Sequence, residues 1–169
     1  SILVTERHLE ATRTIDPDAD LDLVLWPENT IDVVAFESSD IAQQIGVEAA
    51  RLDVPISVGL TEDVMINGRR RFTNAQVVIS PAGDIVSRYD KVRRVPFGEY
   101  VPLRDLVGRL FQAVAAGIAD DNVSRGSGPR AMEIGLPAGR DGASGPVTVG
   151  VPICYELIFP DLVRRFVHD

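Results

Sequence analysis

The chain is short of the residues that staple or metallate a fold. A single cysteine, Cys154, among 169 residues excludes an internal disulfide. With only His8 and His168 beside it, no cluster of soft zinc ligands can be assembled, so neither a metal nor another cofactor is expected. Positive charge is also scarce: 17 Lys and Arg against 25 Asp and Glu leave a net charge of -8. That balance repels a phosphate backbone and argues against nucleic acid as a partner. The short basic runs Arg69-Arg70-Arg71 and Arg93-Arg94 read as solvated loops. No apolar run approaches the roughly 20 residues of a membrane span, and the N-terminus lacks the basic-then-apolar order of a signal peptide. Any membrane anchor would have to come from segments outside these residues. There is no G-x-S-x-G elbow, no histidine in a motif-like setting and no phosphate-cradling glycine loop after a strand. Support for a histidine-based triad and for nucleotide chemistry falls away with them.

What is present is ordinary globular composition, 45% hydrophobic and 25% charged, in a length that suits one domain with a sizeable core. The stretch from Thr5 to Arg13 is rich in helix formers and stops before the turn signal Asp16-Pro17-Asp18, predicting a helix that starts almost at residue one. Leu21 to Trp26 is a short apolar run halted by Pro27, predicting a buried strand with Glu28 at its C-terminal edge. Helical spacing from Ser39 to Leu52 and a strand pattern from Val54 to Leu60 follow. Strand, helix, strand implies a parallel crossover. Phe72 to Ser80, the turn Pro81-Ala82-Gly83 and Asp84 to Arg88 read as a hairpin that delivers Lys91 just past its second strand.

Residues 103–118 carry apolar side chains at helical spacing, either a helix packed on the core or an arm that meets lipid. From Gly117 to Pro146, glycine, serine and aspartate surround one brief apolar piece near Met132 and Ile134, as in a mobile connection or a lid. The β-branched run from Val147 to Ile153 predicts a strand leading straight into Cys154, and helical spacing resumes from Leu157 to Val167. Cys154 therefore falls at a strand-to-helix turn.

Glu28, Lys91 and Cys154 thus each lie at the end of a predicted strand, where layered α/β folds build their sites. They are 63 residues apart in both steps, so only the fold can unite them. A cysteine at a helix start is favoured as thiolate and has backbone N–H groups ready for an oxyanion. A carboxylate beside it can take the thiol proton, and an ammonium can stabilise both thiolate and tetrahedral intermediate. Singly, each residue has a blander reading: a small core cysteine, a loop acid, a surface lysine. The combination is what points to acyl transfer.

Trp26-Pro27-Glu28-Asn29-Thr30, the long stretch from Tyr89-Asp90-Lys91 through Pro96-Phe97-Gly98-Glu99-Tyr100-Val101-Pro102, and Ile153-Cys154-Tyr155-Glu156 resemble, in order, the three catalytic motifs of the nitrilase superfamily of carbon–nitrogen hydrolases. Within it they resemble the apolipoprotein N-acyltransferases most, through the continuation after the lysine, the Tyr-Glu after the cysteine and the Trp-Pro-Glu-Asn of the first motif. The resemblance implies an α/β fold, a four-layer α-β-β-α sandwich, with Glu28 as general base, Lys91 as cationic stabiliser and Cys154 as nucleophile. It implies supporting roles for Glu99 and Glu156 and an oxyanion contact from the Tyr155 backbone N–H. The implied partners are a phospholipid acyl donor and a diacylglyceryl-cysteine lipoprotein acceptor, at the extracytoplasmic side of a bacterial cell membrane. Against the family pattern, residues 1–169 form an incomplete domain, lacking the first strand and the C-terminal part, and are expected to be weakly active or inactive alone.

Two other readings stay open. A soluble amidase or nitrilase would use the same three residues with water as second acceptor. A non-catalytic lipid- or protein-binding module would keep the fold without turnover.

Overall fold

The computed structural model describes residues 2–95, 124–128, 131–137 and 145–168. Glu99, the amphipathic stretch 103–118 and most of the glycine-rich connection lie outside the described residues.

Helix α1 (Ile2–Arg13) opens the described chain, as its composition predicts. Strand β1 (Val24–Leu25) and strand β2 (Ile31–Val33) both run parallel to β3 (Ile56–Ile66) along the same edge. Between β2 and β3 lies α2 (Asp40–Leu52), so the expected parallel crossover is present. Its start is fixed by Ser39, whose Oγ accepts from the Ala42 N–H at 3.2 Å, and its end by Asp53 in the left-handed region at φ 54°. Strands β4 (Arg69–Ile79) and β5 (Ile85–Asp90) continue antiparallel, giving the order β1-β3-β4-β5 with β2 beside β3. A separate two-stranded sheet pairs β6 (Met132–Leu136) with β7 (Gly145–Val149). A 3₁₀ turn over Cys154–Ile158 leads into α3 (Pro160–His168).

Alternation along β3 and β4 splits the core in two. Ile56, Val58, Leu60, Ala75, Val77 and Ile79 pack beneath α1 and α2. Val78 and Tyr89 pack with β6, Ile153 and the Leu162 and Phe166 side chains of α3 in a second cluster. The result is an α/β sandwich with a mixed sheet and flanking helices, the fold class expected from the motifs. Arg51 ties α1 to α2 by donating to the carbonyls of Thr12 and Ile15, both at 3.0 Å. The α1 Thr5 hydroxyl donates to the Thr30 carbonyl at 2.6 Å, close to Glu28.

Several boundaries differ from the sequence reading. The first strand is shorter than the run from Leu21 to Trp26, and the sequence reading did not mark β2 after Glu28. A hairpin that the sequence reading did not mark joins β3 to β4: Arg69-Arg70-Arg71, read as a solvated loop, belongs to β4 and pairs with Ile66, Met65 and Val64 in that order across the turn Asn67-Gly68. Positive φ at both turn residues, 52° and 73°, is the two-residue hairpin geometry that Asn-Gly favours. The strand before the cysteine ends at Val149 rather than reaching Ile153. Pro152 has no N–H for a ladder, and a Cβ on Gly150 would meet the Phe166 Cβ at 2.6 Å, so this stretch is shaped by α3 instead. The last helix begins at Pro160, not Leu157. Proline suits the first helical position and holds Phe159 before it in extended backbone, φ -104° and ψ 96°.

Candidate active site

Glu28 sits on a bulge. Leu25 and Ile31 are six positions apart, yet their partners Ser57 and Leu60 are three apart, so three residues are looped out of one edge strand. Pro27 cannot donate to the ladder, and Asn29 adopts φ 57°, which asparagine tolerates better than most residues. The arch closes where the Thr30 N–H donates to the Gly59 carbonyl at 3.1 Å. Gly59 is what lets it lie flat: a Cβ there would stand 2.7 Å from Glu28 Cα and run into the Pro27 carbonyl oxygen. A bulge of this kind re-aims a side chain. Here it turns the Glu28 carboxylate over the face of the sheet opposite α1 and α2.

Lys91 reaches the same place from β5. Its backbone N–H donates to the Asn74 carbonyl at 2.8 Å, and its own carbonyl accepts from Gly126 at 2.9 Å. The side chain is fully buried, and its Nζ donates to Glu28 Oε1 at 3.2 Å. A lysine buried to this degree is stable only among compensating groups. The same Glu28 oxygen accepts from Asn74 Nδ2 at 2.6 Å. Asn74 is itself buried, and its Oδ1 has no hydrogen-bond partner among the described residues. One residue pair further along, Gln76 donates to Ser57 Oγ at 2.9 Å and to the Trp26 carbonyl at 3.3 Å. A buried polar stripe, Ser57, Gln76 and Asn74, therefore leads to the acid.

Cys154 occupies the strained end of the site. It is exposed, and its backbone lies at φ 50°. Such a conformation costs about 1–3 kcal/mol for a residue with a Cβ and persists only where the surroundings over-determine it. Glu156 does so. Its completely buried carboxylate accepts from the backbone N–H groups of Val92 at 2.7 Å and Arg93 at 2.8 Å. It also accepts from the Ile153 N–H at 2.9 Å, and the Tyr89 hydroxyl stands 3.0 Å from both its oxygens. The Ile153 bond is the backward half of a capping box at the start of the turn. One carboxylate thus ties the residue before the cysteine to the two residues after the lysine. Burial foremost, and then the Glu156 charge, push the Tyr89 phenol well above its ordinary range, so it stays a neutral donor. Arg93 adds an outer tie by donating to Asp161 at 3.2 Å and lying over the Phe159 ring at 5.1 Å.

The fold brings Glu28 and Lys91 into direct contact and fastens the Cys154 turn to the lysine segment. Glu156 serves as that fastening rather than facing open space, and Tyr155 stacks edge-on with Phe159 at 5.2 Å. Asn74, Gln76, Ser57 and Gly59 went unnoticed in the sequence, and Tyr89 was read only as part of the lysine motif. A signal was available for two of them, because Asn74 and Gln76 alternate within a strand otherwise read as core. Among the described residues no group of His, Cys, Asp or Glu could hold a metal ion, and no helix is long and apolar enough to cross a membrane.

Comparison with known proteins extends these observations. The family described as Carbon-nitrogen hydrolase matches residues 4–169. The apolipoprotein N-acyltransferase of Geobacter metallireducens is 34% identical over 147 residues, covering 87% of this chain and 26% of that protein. That of Allorhizobium ampelinum is 32% identical over 164 residues, covering 95% of this chain and 29% of that protein. The chain thus spans about a quarter of the length of the curated relatives it matches. Among solved structures, an N-terminal amidase with a Gln-Gly peptide superimposes with a TM-score of 0.60 over 92% of this chain and 36% of that one, at 11% identity. That likeness concerns the fold.

Proposed function

Since the chain belongs to the carbon-nitrogen hydrolase family, we propose that Glu28, Lys91 and Cys154 form a thiol acyl-transfer site acting at carbon–nitrogen bonds. The observation that carries this reading is the buried Lys91 ammonium held on Glu28 while Glu156 binds the Cys154 turn to the residues next to that lysine. In the first half-reaction Glu28 takes the thiol proton and the sulfur attacks the acyl carbonyl. Lys91 and the Tyr155 N–H stabilise the oxyanion. The carbon–nitrogen bond breaks, the amine leaves with the proton from Glu28, and an acyl thioester remains on Cys154. Water then attacks with Glu28 as base, the carbon–sulfur bond breaks, and the proton returns to the sulfur. Asn74 holds the Glu28 oxygen in place through both halves.

A second reading has support of its own in the sequences of the two acyltransferase relatives. In it the donor is a phospholipid ester, the first leaving group is the lysophospholipid alcohol, and the second acceptor is the α-amino group of a diacylglyceryl-cysteine, which becomes an amide. The partners would be those lipids and lipoproteins, on the extracytoplasmic side of a bacterial cell membrane, with membrane contact helped by segments outside the chain.

Intact-mass measurement after incubation with phospholipid vesicles or with a small amide separates the two. A fatty-acyl adduct on Cys154 that an amine discharges favours the acyltransferase. An adduct from small amides alone, discharged by water, favours the amidase. Absence of any adduct, with Cys154→Ser behaving as the parent in every assay, would leave only a binding module and sink both.

A further inference from the structure

Two buried threonines of α1 reach the arch that carries Glu28, from the face of the sheet opposite the carboxylate. The helix buries Thr5, Leu9 and Thr12, so two of these three residues carry a hydroxyl where a helix packed on a core ordinarily shows apolar side chains. Thr5 and Thr12 are seven positions apart, two helical turns, and share one face about 10 Å apart along the axis. Their hydroxyls meet the two feet of the arch. That of Thr12 accepts from the Trp26 indole N–H at 3.0 Å, and that of Thr5 donates to the Thr30 carbonyl at 2.6 Å. Glu28 lies midway between those feet in the chain.

Each contact is fixed from more than one side. The Thr12 hydroxyl is itself oriented by donating to the His8 carbonyl at 2.9 Å, which leaves its acceptor side for the indole, and the His8 ring lies against Trp26 at 5.5 Å. Arg51 holds this end of α1 by its bond to the Thr12 carbonyl, and Arg51 is paired in turn with the buried Glu48 at 2.7 Å. On the sheet side, the Trp26 carbonyl accepts from Gln76, and Thr30 donates from both its N–H and its hydroxyl to the Gly59 carbonyl. The sheet fixes the feet along the ladder, and α1 fixes them across it. Removing either threonine hydroxyl would strand a buried indole N–H or a buried carbonyl, which the arch could satisfy only by moving.

We propose that Thr5 and Thr12 are positioning residues for Glu28, gripping the two feet of its arch so that the carboxylate stands against Lys91 and within reach of the thiol proton. The proposal rests on the reading of Glu28 as the base, but the placement it describes exists without turnover. A purely structural role for the two hydroxyls predicts a loss of stability alone. A positioning role predicts a displaced carboxylate in protein that is still folded.

The test uses the whole chain, in which Lys91 is the only lysine and Trp26 the only tryptophan. A water-soluble carbodiimide activates the Glu28 carboxylate, whose side chain is 27% exposed, and the Lys91 amine displaces the urea to leave an amide that peptide mapping detects. In Thr5→Val and in Thr12→Val, which keep the shape and drop the hydroxyl, this cross-link is expected to fall about fivefold. Thr5→Ser and Thr12→Ser keep the hydroxyl and should restore it, and the Trp26 indole proton should exchange faster in Thr12→Val than in Thr12→Ser. Ile45→Ala, at a fully buried position of α2, should lower the urea midpoint yet leave the cross-link of the folded protein close to the parent. In acylation of Cys154, the slowing caused by Thr12→Val should disappear in a Glu28→Gln background. Circular dichroism verifies that each variant is folded. No cross-link in the parent, valine variants that cross-link like the parent, an equal loss in the serine variants or in Ile45→Ala, or a slowing that persists in full without Glu28 would each overturn the proposal. A parent that forms no acyl adduct counts against the functional reading alone, because the cross-link forms without substrate.

Discussion

On one side of the β3–β4 pair, Ile56, Val58, Leu60, Ala75, Val77 and Ile79 are buried under two helices; one residue along, on the other side, stand Ser57, Gly59, Thr61, Asn74, Gln76 and Val78. The backbone is common to both faces, and a shift of one residue exchanges them. The apolar face is redundant, since several side chains share one core and the loss of any one leaves the rest packed. The polar face is not. There Gln76 donates to Ser57 and Asn74 donates to Glu28, which in turn holds Lys91. Stability and chemistry are therefore written on the same two strands in alternate letters, and substitutions on the two faces should fail differently.

The largest separation is expected for Glu28→Gln, which keeps the shape and the Asn74 contact but removes the base. Acylation of Cys154, read on the folded fraction, should slow by about 10²–10⁴-fold, while the urea midpoint also falls because the buried Lys91 loses its counter-charge. A folded fraction that acylates at the parent rate would erase the distinction between the faces. On the apolar side, Leu60→Ala should lower unfolding free energy by about 2–5 kcal/mol in urea titrations while the folded fraction keeps its acylation rate. Asn74→Leu probes the boundary between the two. Losing a hydrogen bond to a charged group is worth about 1.5–3 kcal/mol, so the rate should fall roughly ten- to a hundredfold. The same bond is lost from the folded state, so unfolding free energy should fall by up to about 1.5–3 kcal/mol.

The smallest effect concerns Tyr89, on the polar face. Its folded-state pKa lies above the ordinary value of 10.0, because of burial and the Glu156 charge. The phenol therefore contributes stability that is complete below pH 10 and is lost as pH rises, since the unfolded chain releases a proton that the folded one keeps. Tyr89→Phe should show a shallower decline between pH 8 and pH 11 in urea titrations than the parent. Identical slopes would mean that the phenol is not held neutral.

What could be read from the sequence follows the same division. The helices and the strand ends carrying Glu28 and Lys91 are local features, set by apolar spacing, by Pro27 and by the Pro81-Ala82-Gly83 turn. The Asn67-Gly68 turn was also legible as a hairpin signal, but the arginines beside it suggested a loop. The bulge under Glu28 was not, because it depends on Gly59, thirty-one positions away and on another strand. Nor was the clamp on Cys154. Glu156 bonds Val92 and Arg93 across 64 and 63 residues, a pairing that no local pattern announces. The strand expected to run into Cys154 stopped early for a related reason, since Gly150 accommodates Phe166 of a helix that follows it.

The proposal that the sulfur of Cys154 works beside the Lys91 ammonium can be tested without any substrate, through the rate at which iodoacetamide alkylates the thiol at neutral pH. Lys91→Met keeps the length of the side chain and removes its charge, and it should slow alkylation by about tenfold or more, because the thiolate loses its neighbouring cation. An unchanged rate in a folded Lys91→Met variant would mean that the lysine and the cysteine do not share a site.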